Sequence, residues 1–167
     1  PTSESRRRRA AVCSSGEQLF DAGQDRLLVR QRGLLEASLV VEGTALRVLG
    51  THLQWDTETE RTRQAEAIVA TLDERPTVLL GDLNTTPGST AYTCLAGRLQ
   101  DAWAVVGDGD GDGDGDGDGG HTFDSEPPPR RIDYVWVGGG VRPVSAQVIR
   151  SDASDHHALR VEVDLPG

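Results

Sequence analysis

The alternation of apolar and polar residues predicts a β-hairpin in the first third of the chain. Two runs rich in aliphatic residues, Leu34 to Val41 and Ala45 to His52, flank the sequence Glu42-Gly43-Thr44. A glycine-containing turn between two such runs is typical of a hairpin connection. We therefore expect two antiparallel strands joined at this turn.

The apolar period then changes to that of a helix. Thr57 and Glu60 have the spacing of a capping box, and acidic residues lie near the positive end of the helix. Pro76 makes continuation of the helix past Arg75 unfavourable. The positions at intervals of three and four residues form one apolar stripe against a core: Ala65, Ile68, Val69 and Leu72.

The remaining apolar runs predict a buried strand, a short helix and three further strands. Val78 to Leu80 is the buried strand, and Ser89 to Leu95 is the short helix. The three later strands are Ile132 to Val137, Val144 to Arg150 and His157 to Val163. The order β-β-α-β-α followed by β-β-β predicts an α/β (α+β) layered fold with mixed or antiparallel sheets.

Two low-complexity segments interrupt this pattern. Residues 1–10 are polar and arginine-rich, and we expect a disordered arm there. Residues 107–120 are almost pure Gly-Asp, which buries no core and predicts a disordered surface loop. The tract lacks the fixed ligand offsets and bidentate glutamate of a calcium loop, so calcium binding is the weakest functional hypothesis. Residues 11–167, with the Gly-Asp tract as a loop within them, are predicted to form one domain.

Composition limits the range of partners. The 167 residues carry a formal charge of −10, and without the six aspartates of the Gly-Asp tract the balance is −4. A mildly acidic body argues against broad binding of nucleic acid, which needs a basic face. No run is apolar and long enough to span a membrane, and we expect a monomer. Cys13 and Cys94 match no zinc pattern; they form either two buried thiols or, in a secreted protein, a disulfide.

Polar side chains concentrate in four short segments at predicted strand ends, where α/β layers place their sites. The segments are Thr51-His52, Gly81 to Asn84, Arg131 to Tyr134 and Ser154 to His157. Asp133 stands among apolar neighbours, so its carboxylate needs a partner, and histidine is a suitable one. Carboxylates suit Mg²⁺, histidine accepts a proton near neutral pH, and asparagine donates to phosphoryl oxygens. Together the segments favour hydrolysis of phosphate esters.

These segments resemble a known family. THLQ from Thr51, GDLN from Gly81, RIDYVW from Arg131 and SDHHAL from Ser154 resemble the endonuclease/exonuclease/phosphatase superfamily in order and spacing. RGLLEA from Arg32 resembles a strand of many bacterial members, and the likeness covers Leu28 to Val163. The resemblance implies a four-layer α/β/β/α sandwich and a metal-dependent phosphoesterase.

The resemblance also implies a role for each polar side chain. His52 contacts the scissile phosphate, and Asn84 holds it. Asp82 orients or deprotonates the attacking water and binds metal, and Asp155 binds or adjoins the metal. His156 pairs with Asp133 as a His-Asp dyad. Either Asp82 or the dyad activates the water, and the cofactor is Mg²⁺ or Mn²⁺. His157 matches no catalytic position and is interpreted as structural.

The chain departs from the family pattern in its first part. The strand with a catalytic asparagine and the later motif with the main metal-binding glutamate are not found, so we expect the C-terminal part of the domain, incomplete at the N-terminus. Two hypotheses follow: an active hydrolase, or a truncated, catalytically inactive binding module of the same fold. The substrate stays open among small phosphodiesters, phosphomonoesters, lipid head groups and nucleic acid, and a secreted or cytoplasmic location stays open too.

Overall fold

A computed structural model describes residues 32–107, 120–123 and 129–167, with the backbone pairing of two short segments before them. The predicted arm at residues 1–10, and the predicted Gly-Asp loop except Gly107 and Gly120, lie outside the described residues. The strands are β1 (Cys13–Ser14), β2 (Gln18–Leu19), β3 (Gly33–Val41), β4 (Thr44–Thr51), β5 (Thr77–Asp82), β6 (Gln100–Asp101), β7 (Asp133–Gly138), β8 (Arg142–Ile149) and β9 (Ala158–Asp164). The helices are α1 (Glu58–Thr71), α2 (Thr90–Ala96) and α3 (Ala102–Val106).

Seven strands form the main sheet, in the order β1-β3-β4-β5-β7-β6, with β2 also paired to β3. The predicted hairpin is confirmed as the antiparallel pair β3–β4. Strand β5 runs parallel to β4, and α1 connects the two as a crossover. Strand β7 is antiparallel to β5. The carboxyl ends of β4 and β5 and the amino end of β7 therefore meet at one edge of the sheet.

Helices α1 and α2 cover one face of this sheet. Leu49, Leu79 and Trp136 of the sheet are fully buried against Ile68 of α1 and Leu95 of α2. The apolar stripe predicted for α1 is confirmed, with Ala65 and Ile68 buried and Val69 and Leu72 half-buried against the same core. Burying a large aliphatic side chain contributes about 1.5–3 kcal/mol, so this core holds the helices to the sheet.

The ends of α1 follow its sequence. The Thr57 hydroxyl accepts a hydrogen bond from the backbone N–H of Glu60, which confirms the predicted N-cap. The helix ends at Thr71 with Leu72 as its C-cap, short of the limit predicted at Arg75. Glu58 in the first turn also accepts from the backbone N–H of Ala91, so it ties α1 to α2.

The opposite face of the main sheet packs against a second, two-stranded sheet of β8 and β9. Val78 and Val137 of the main sheet form a second core with Val141, and Val163 of β9 packs against it. The order of helices, main sheet and second sheet confirms the predicted α/β sandwich. The strand predicted from His157 to Val163 begins one residue later, at Ala158, and ends at Asp164.

Four short elements were not predicted: β1, β2, β6 and α3. Asp101 ends β6, and its buried carboxylate caps α3 by accepting from the backbone N–H of Trp103 at 3.1 Å. The indole of Trp103 lies against both ends of the Gly-Asp tract. A Cβ built on Gly107 would lie 2.7 Å from Trp103 Cδ2, and one on Gly120 would lie 2.3 Å from Trp103 Cε2. Both ends of the tract are thus fixed next to the same side chain.

Cys94 is half-buried and carries a free thiol, which favours the interpretation of buried thiols over the disulfide. Burial, together with the charge of Glu66, raises the pKa of this thiol. The side chain of Cys13 lies outside the described residues. Among those residues, no helix has the length and apolarity needed to cross a membrane.

Candidate active site

The close approach of two parallel strand ends positions His52 beside Asp82. Gly81 has φ +143°, and a Cβ at this position would lie 1.8 Å from the carbonyl oxygen of Thr51. Only glycine permits this contact. The backbone N–H of Leu53 donates to the carbonyl of Asp82 at 2.9 Å, which holds the two strand ends together. As a result, Nε2 of His52 lies 3.2 Å from Oδ2 of Asp82.

Strand register places the two carboxylates side by side. Asp82 and Asp133 are directly paired across β5 and β7, so their side chains leave the sheet on the same face. Nδ1 of His156 lies 2.8 Å from Oδ2 of Asp133, which is the predicted His-Asp dyad. The other ring nitrogen, Nε2, lies 4.0 Å from Oδ2 of Asp82. The imidazole of His156 therefore stands between the two carboxylates.

Asn84 turns the chain back toward the same point. It has φ +48°, a left-handed conformation that asparagine tolerates better than most residues. Its backbone N–H donates to Oδ1 of Asp82 at 2.8 Å, and its side-chain amide donates to the carbonyl of Leu53 at 3.1 Å. Asn84 thus fixes the orientation of the Asp82 carboxylate and links the loops after β4 and β5.

The site shifts the pKa values of its members in different directions. Burial raises the pKa of Asp82, and the negative charge of Asp133 adds to this, against the lowering effect of the hydrogen bond from the backbone of Asn84. Burial lowers the pKa of His52, and the positive charge of Arg32 adds to this, against the attraction of Asp82. These shifts favour a neutral His52 near pH 7.

His156 shifts the other way. Burial acts to lower its pKa, but the hydrogen bond and charge of Asp133, together with Asp82 and Asp155, outweigh burial and raise it. A histidine held by a carboxylate in this way is a stronger base than a free imidazole. Divergent pKa values within one cluster are typical of catalytic sites.

In the described part of the chain, Asp82, Asp133 and His156 offer ligand atoms that lie within 4.8 Å of one another. Carboxylate oxygens suit a hard cation such as Mg²⁺, which takes one or two carboxylates and completes its shell with water and phosphate. The donor chemistry therefore fits the implied metal. Asp155 is exposed and lies outside this group, although its charge acts on His156.

Sequence reasoning missed the residues that support the dyad. Thr122 is fully buried beside Asp133, and the Phe123 ring lies 5.0 Å from the His156 imidazole, centroid to centroid. Both follow the Gly-Asp tract without a periodic pattern. Arg131 forms a buried ion pair with Asp101 at 2.6 Å. One indication of this ion pair is present in the sequence, which is that Arg131 directly precedes the apolar run that starts at Ile132.

A His-Asp pair and a second carboxylate thus lie at one edge of the main sheet of this sandwich fold. A model of the Endonuclease/Exonuclease/phosphatase family matches residues 25–156. The match covers well over half of the chain, so this chain belongs to that family. The resemblance predicted from the four segments is confirmed, and members of the family are generally phosphoester hydrolases. No curated protein sequence gives a significant match.

Solved structures support the same fold. An endonuclease/exonuclease/phosphatase from Beutenbergia cavernae is 27% identical over 82% of this chain and 40% of that chain, with a TM-score of 0.64. D. rerio TDP2, solved with a single-strand DNA product, is 18% identical over 92% and 69%, with a TM-score of 0.64. A mannosyl-6-phosphatase from Bacteroides thetaiotaomicron is 16% identical over 92% and 67%, with a TM-score of 0.60. This chain thus spans 40% of the first structure and about two thirds of the other two.

Proposed function

We propose that this chain catalyses metal-dependent hydrolysis of phosphate esters through water activated by the His156–Asp133 dyad. The observation that carries the proposal is the position of His156, 2.8 Å from Asp133 through Nδ1 and 4.0 Å from Asp82 through Nε2. If Nδ1–H donates to Asp133, the lone pair of Nε2 faces Asp82 and is available to a proton of water.

One water molecule beside Nε2 of His156 and Oδ2 of Asp82 can bridge the two atoms, which lie 4.0 Å apart. A water about 2.8 Å from both Nε2 and Oδ2 subtends an angle near 90° across their separation, close to its own bond angle. Such a water donates one hydrogen to each atom, so Asp82 and the dyad act on it together. Its oxygen bonds to phosphorus as the ester P–O bond breaks, and Nε2 of His156 takes the proton. The alcohol part leaves with the bonding electron pair as an alkoxide or phenoxide, which takes a proton from solvent.

His52 and Asn84 are proposed to bind the phosphoryl group. The side chain of His52 is 51% exposed, so its single N–H can turn from Asp82 to a phosphoryl oxygen when a ligand is present. The amide of Asn84 lies 3.4 Å from Oδ2 of Asp82, next to the proposed water site. Donors placed where charge develops lower the barrier most.

Asp82, Asp133 and the nearby Asp155 are the proposed holders of Mg²⁺ or Mn²⁺. When bound, the ion would stabilise negative charge on the phosphoryl oxygens. The proposed substrates are small phosphodiesters or phosphomonoesters. Two related structures, one with a DNA product and one of a sugar phosphatase, support a phosphate ester without selecting among these classes.

A chromogenic phosphodiester assay with Mg²⁺ or Mn²⁺ tests the proposal. We expect metal-dependent turnover that is lost in His156→Ala and retained in His157→Ala. His157 is a matched control because it is the adjacent imidazole, and its Nδ1 lies 3.4 Å from the backbone N–H of Ser151. Turnover that survives His156→Ala would contradict the role of the dyad, and a metal-binding chain without turnover would instead support the inactive binding module.

A further inference from the structure

We propose that Thr122 is the positioning residue that sets the Asp133–His156 dyad in its reactive geometry. Thr122 is fully buried and bonds to both chain segments that carry the dyad. It does not touch the proposed water site, so it acts through Asp133 and His156. The inference deepens the proposed function and rests on it.

The hydroxyl of Thr122 holds the start of β7. Its Oγ1 accepts from the backbone N–H of Ile132 at 3.3 Å and from that of Asp133 at 3.1 Å. Strand β7 begins at Asp133, so these two donors lie where its ladder with β5 starts. A buried N–H needs an acceptor, and here one side-chain oxygen serves two of them. The hydroxyl therefore fixes the backbone from which the Asp133 carboxylate projects.

The backbone of Thr122 holds the histidine segment. Its carbonyl accepts from the N–H of His157 at 2.7 Å, one residue after the dyad histidine. On the other side, its N–H and that of Phe123 both donate to the carbonyl of Arg130, at 3.0 and 2.9 Å. Phe123 is bridged antiparallel to both Arg130 and His156. The Thr122–Phe123 dipeptide thus lies between the two segments and bonds to each.

Phe123 adds a contact with the imidazole itself. Its ring packs at 57° to that of His156, and the Arg130 guanidinium lies 4.9 Å from the centre of the same phenyl ring. The ring restrains rotation of the His156 side chain, while Thr122 restrains both backbones. The 2.8 Å bond between His156 and Asp133 depends on these restraints, since Asp133 and His156 are 23 residues apart in the chain. Outer partners that fix a reactive side chain typically contribute about 10–100-fold in activity or affinity.

Thr122→Val tests the hydroxyl because it keeps the side-chain volume and removes the acceptor. We expect kcat to fall by about tenfold or more with KM within about threefold of the unchanged chain, since substrate binding is left in place. Thr122→Ser is the matched control, because it restores the oxygen, and we expect it to recover most of kcat. If Thr122→Val does not fold, Thr122→Ala and Thr122→Ser form the second pair, which differs by one hydroxyl.

A second readout is independent of turnover. In metal-free ¹⁵N-labelled protein, the proton on Nδ1 of His156 should give a downfield resonance that disappears in Asp133→Asn. We expect this resonance to be lost or exchange-broadened in Thr122→Val and present in Thr122→Ser. A purely structural role would lower the melting temperature and leave the resonance unchanged.

The outcomes separate this inference from the proposed function. If the unchanged chain shows no turnover, the proposed function fails for it, and the resonance alone decides the role of Thr122. Retention of both kcat and the resonance in Thr122→Val overturns the inference. Equal loss in the valine and serine variants also overturns it, because the hydroxyl would then not be the group responsible.

Discussion

Replacement of Asp101 by asparagine should destabilise the fold by about 3–5 kcal/mol, although Asp101 lies outside the proposed site. The change keeps the shape of the side chain and removes its charge. Arg131 then loses its carboxylate partner while its own side chain is only 2% exposed. A buried charge without its partner costs several kcal/mol, which is far more than the loss of a surface ion pair.

The contacts of Asp101 explain this magnitude. Oδ2 accepts from Arg131 at 2.6 Å and from the Tyr92 hydroxyl at 3.0 Å, and Oδ1 caps α3 through Trp103. The guanidinium of Arg131 also lies 4.7 Å from the centre of the Tyr134 ring. Asparagine keeps an oxygen for the helix cap, so most of the loss comes from the ion pair. For a chain of this size, the melting temperature should fall by about 6–20 °C.

A double-mutant cycle followed by urea denaturation measures the interaction energy between Asp101 and Arg131 directly. Asp101→Asn and Arg131→Met should each destabilise strongly, whereas the variant with both changes should be far less destabilised than the sum of the two single changes. A loss below about 1 kcal/mol in Asp101→Asn, or simple additivity in the cycle, would refute the reasoning.

Three further predictions concern the site itself. Gly81→Ala should destabilise the chain by about 2 kcal/mol or more through the clash with Thr51. Gly50→Ala is the control, because a Cβ there meets nothing within 4 Å, and it should change the free energy of unfolding by less than about 1 kcal/mol. Equal effects of the two changes in urea denaturation would count against the close approach of Gly81 and Thr51. Asp133→Asn should lower the pKa of His156, which the structure raises above 6.5, so NMR titration of the metal-free chain should show the shift. Because the pKa of folded His156 is raised, the stabilisation from this residue is complete below pH 6.5 and is lost as pH rises through the folded pKa. Turnover should rise over the same pH range, because the base must be neutral. An unchanged pKa of His156 in Asp133→Asn would argue against the hydrogen bond between the two side chains. Asp82→Asn should weaken Mn²⁺ binding by about tenfold in calorimetric titration, and unchanged affinity would exclude Asp82 as a ligand.

The sequence predicted the parts of the fold that depend on local pattern. The hairpin at Gly43, the stripe of α1 and the N-cap at Thr57 each follow from periodicity or capping within a few residues. The strand containing Asp133 was recognised for the same reason, and the expectation that its carboxylate needs a histidine partner agrees with the bond to His156.

What the sequence did not predict depends on contacts between distant segments. Asp101 reads as an ordinary turn residue until the fold brings Arg131, 30 residues later, beside it. Thr122 has no pattern of its own, and its role appears only when β7 and the segment of His157 lie on either side of it. Strand register could not be predicted for the same reason. Asp82 and Asp133 lie opposite each other because β5 and β7 pair in one register, which neither strand determines alone.

The two ends of the Gly-Asp tract give this protein a site at which its length can change. Gly107 and Gly120 both lie against the indole of Trp103, so the chain leaves and re-enters the fold at nearly one point. Doubling the length of a closed loop costs only about 0.6 kcal/mol. Gain or loss of whole Gly-Asp units would leave the positions of Trp103 and of strands β7, β8 and β9 unchanged. A chain with more or fewer Gly-Asp repeats is therefore expected to keep the arrangement of residues at the sheet edge.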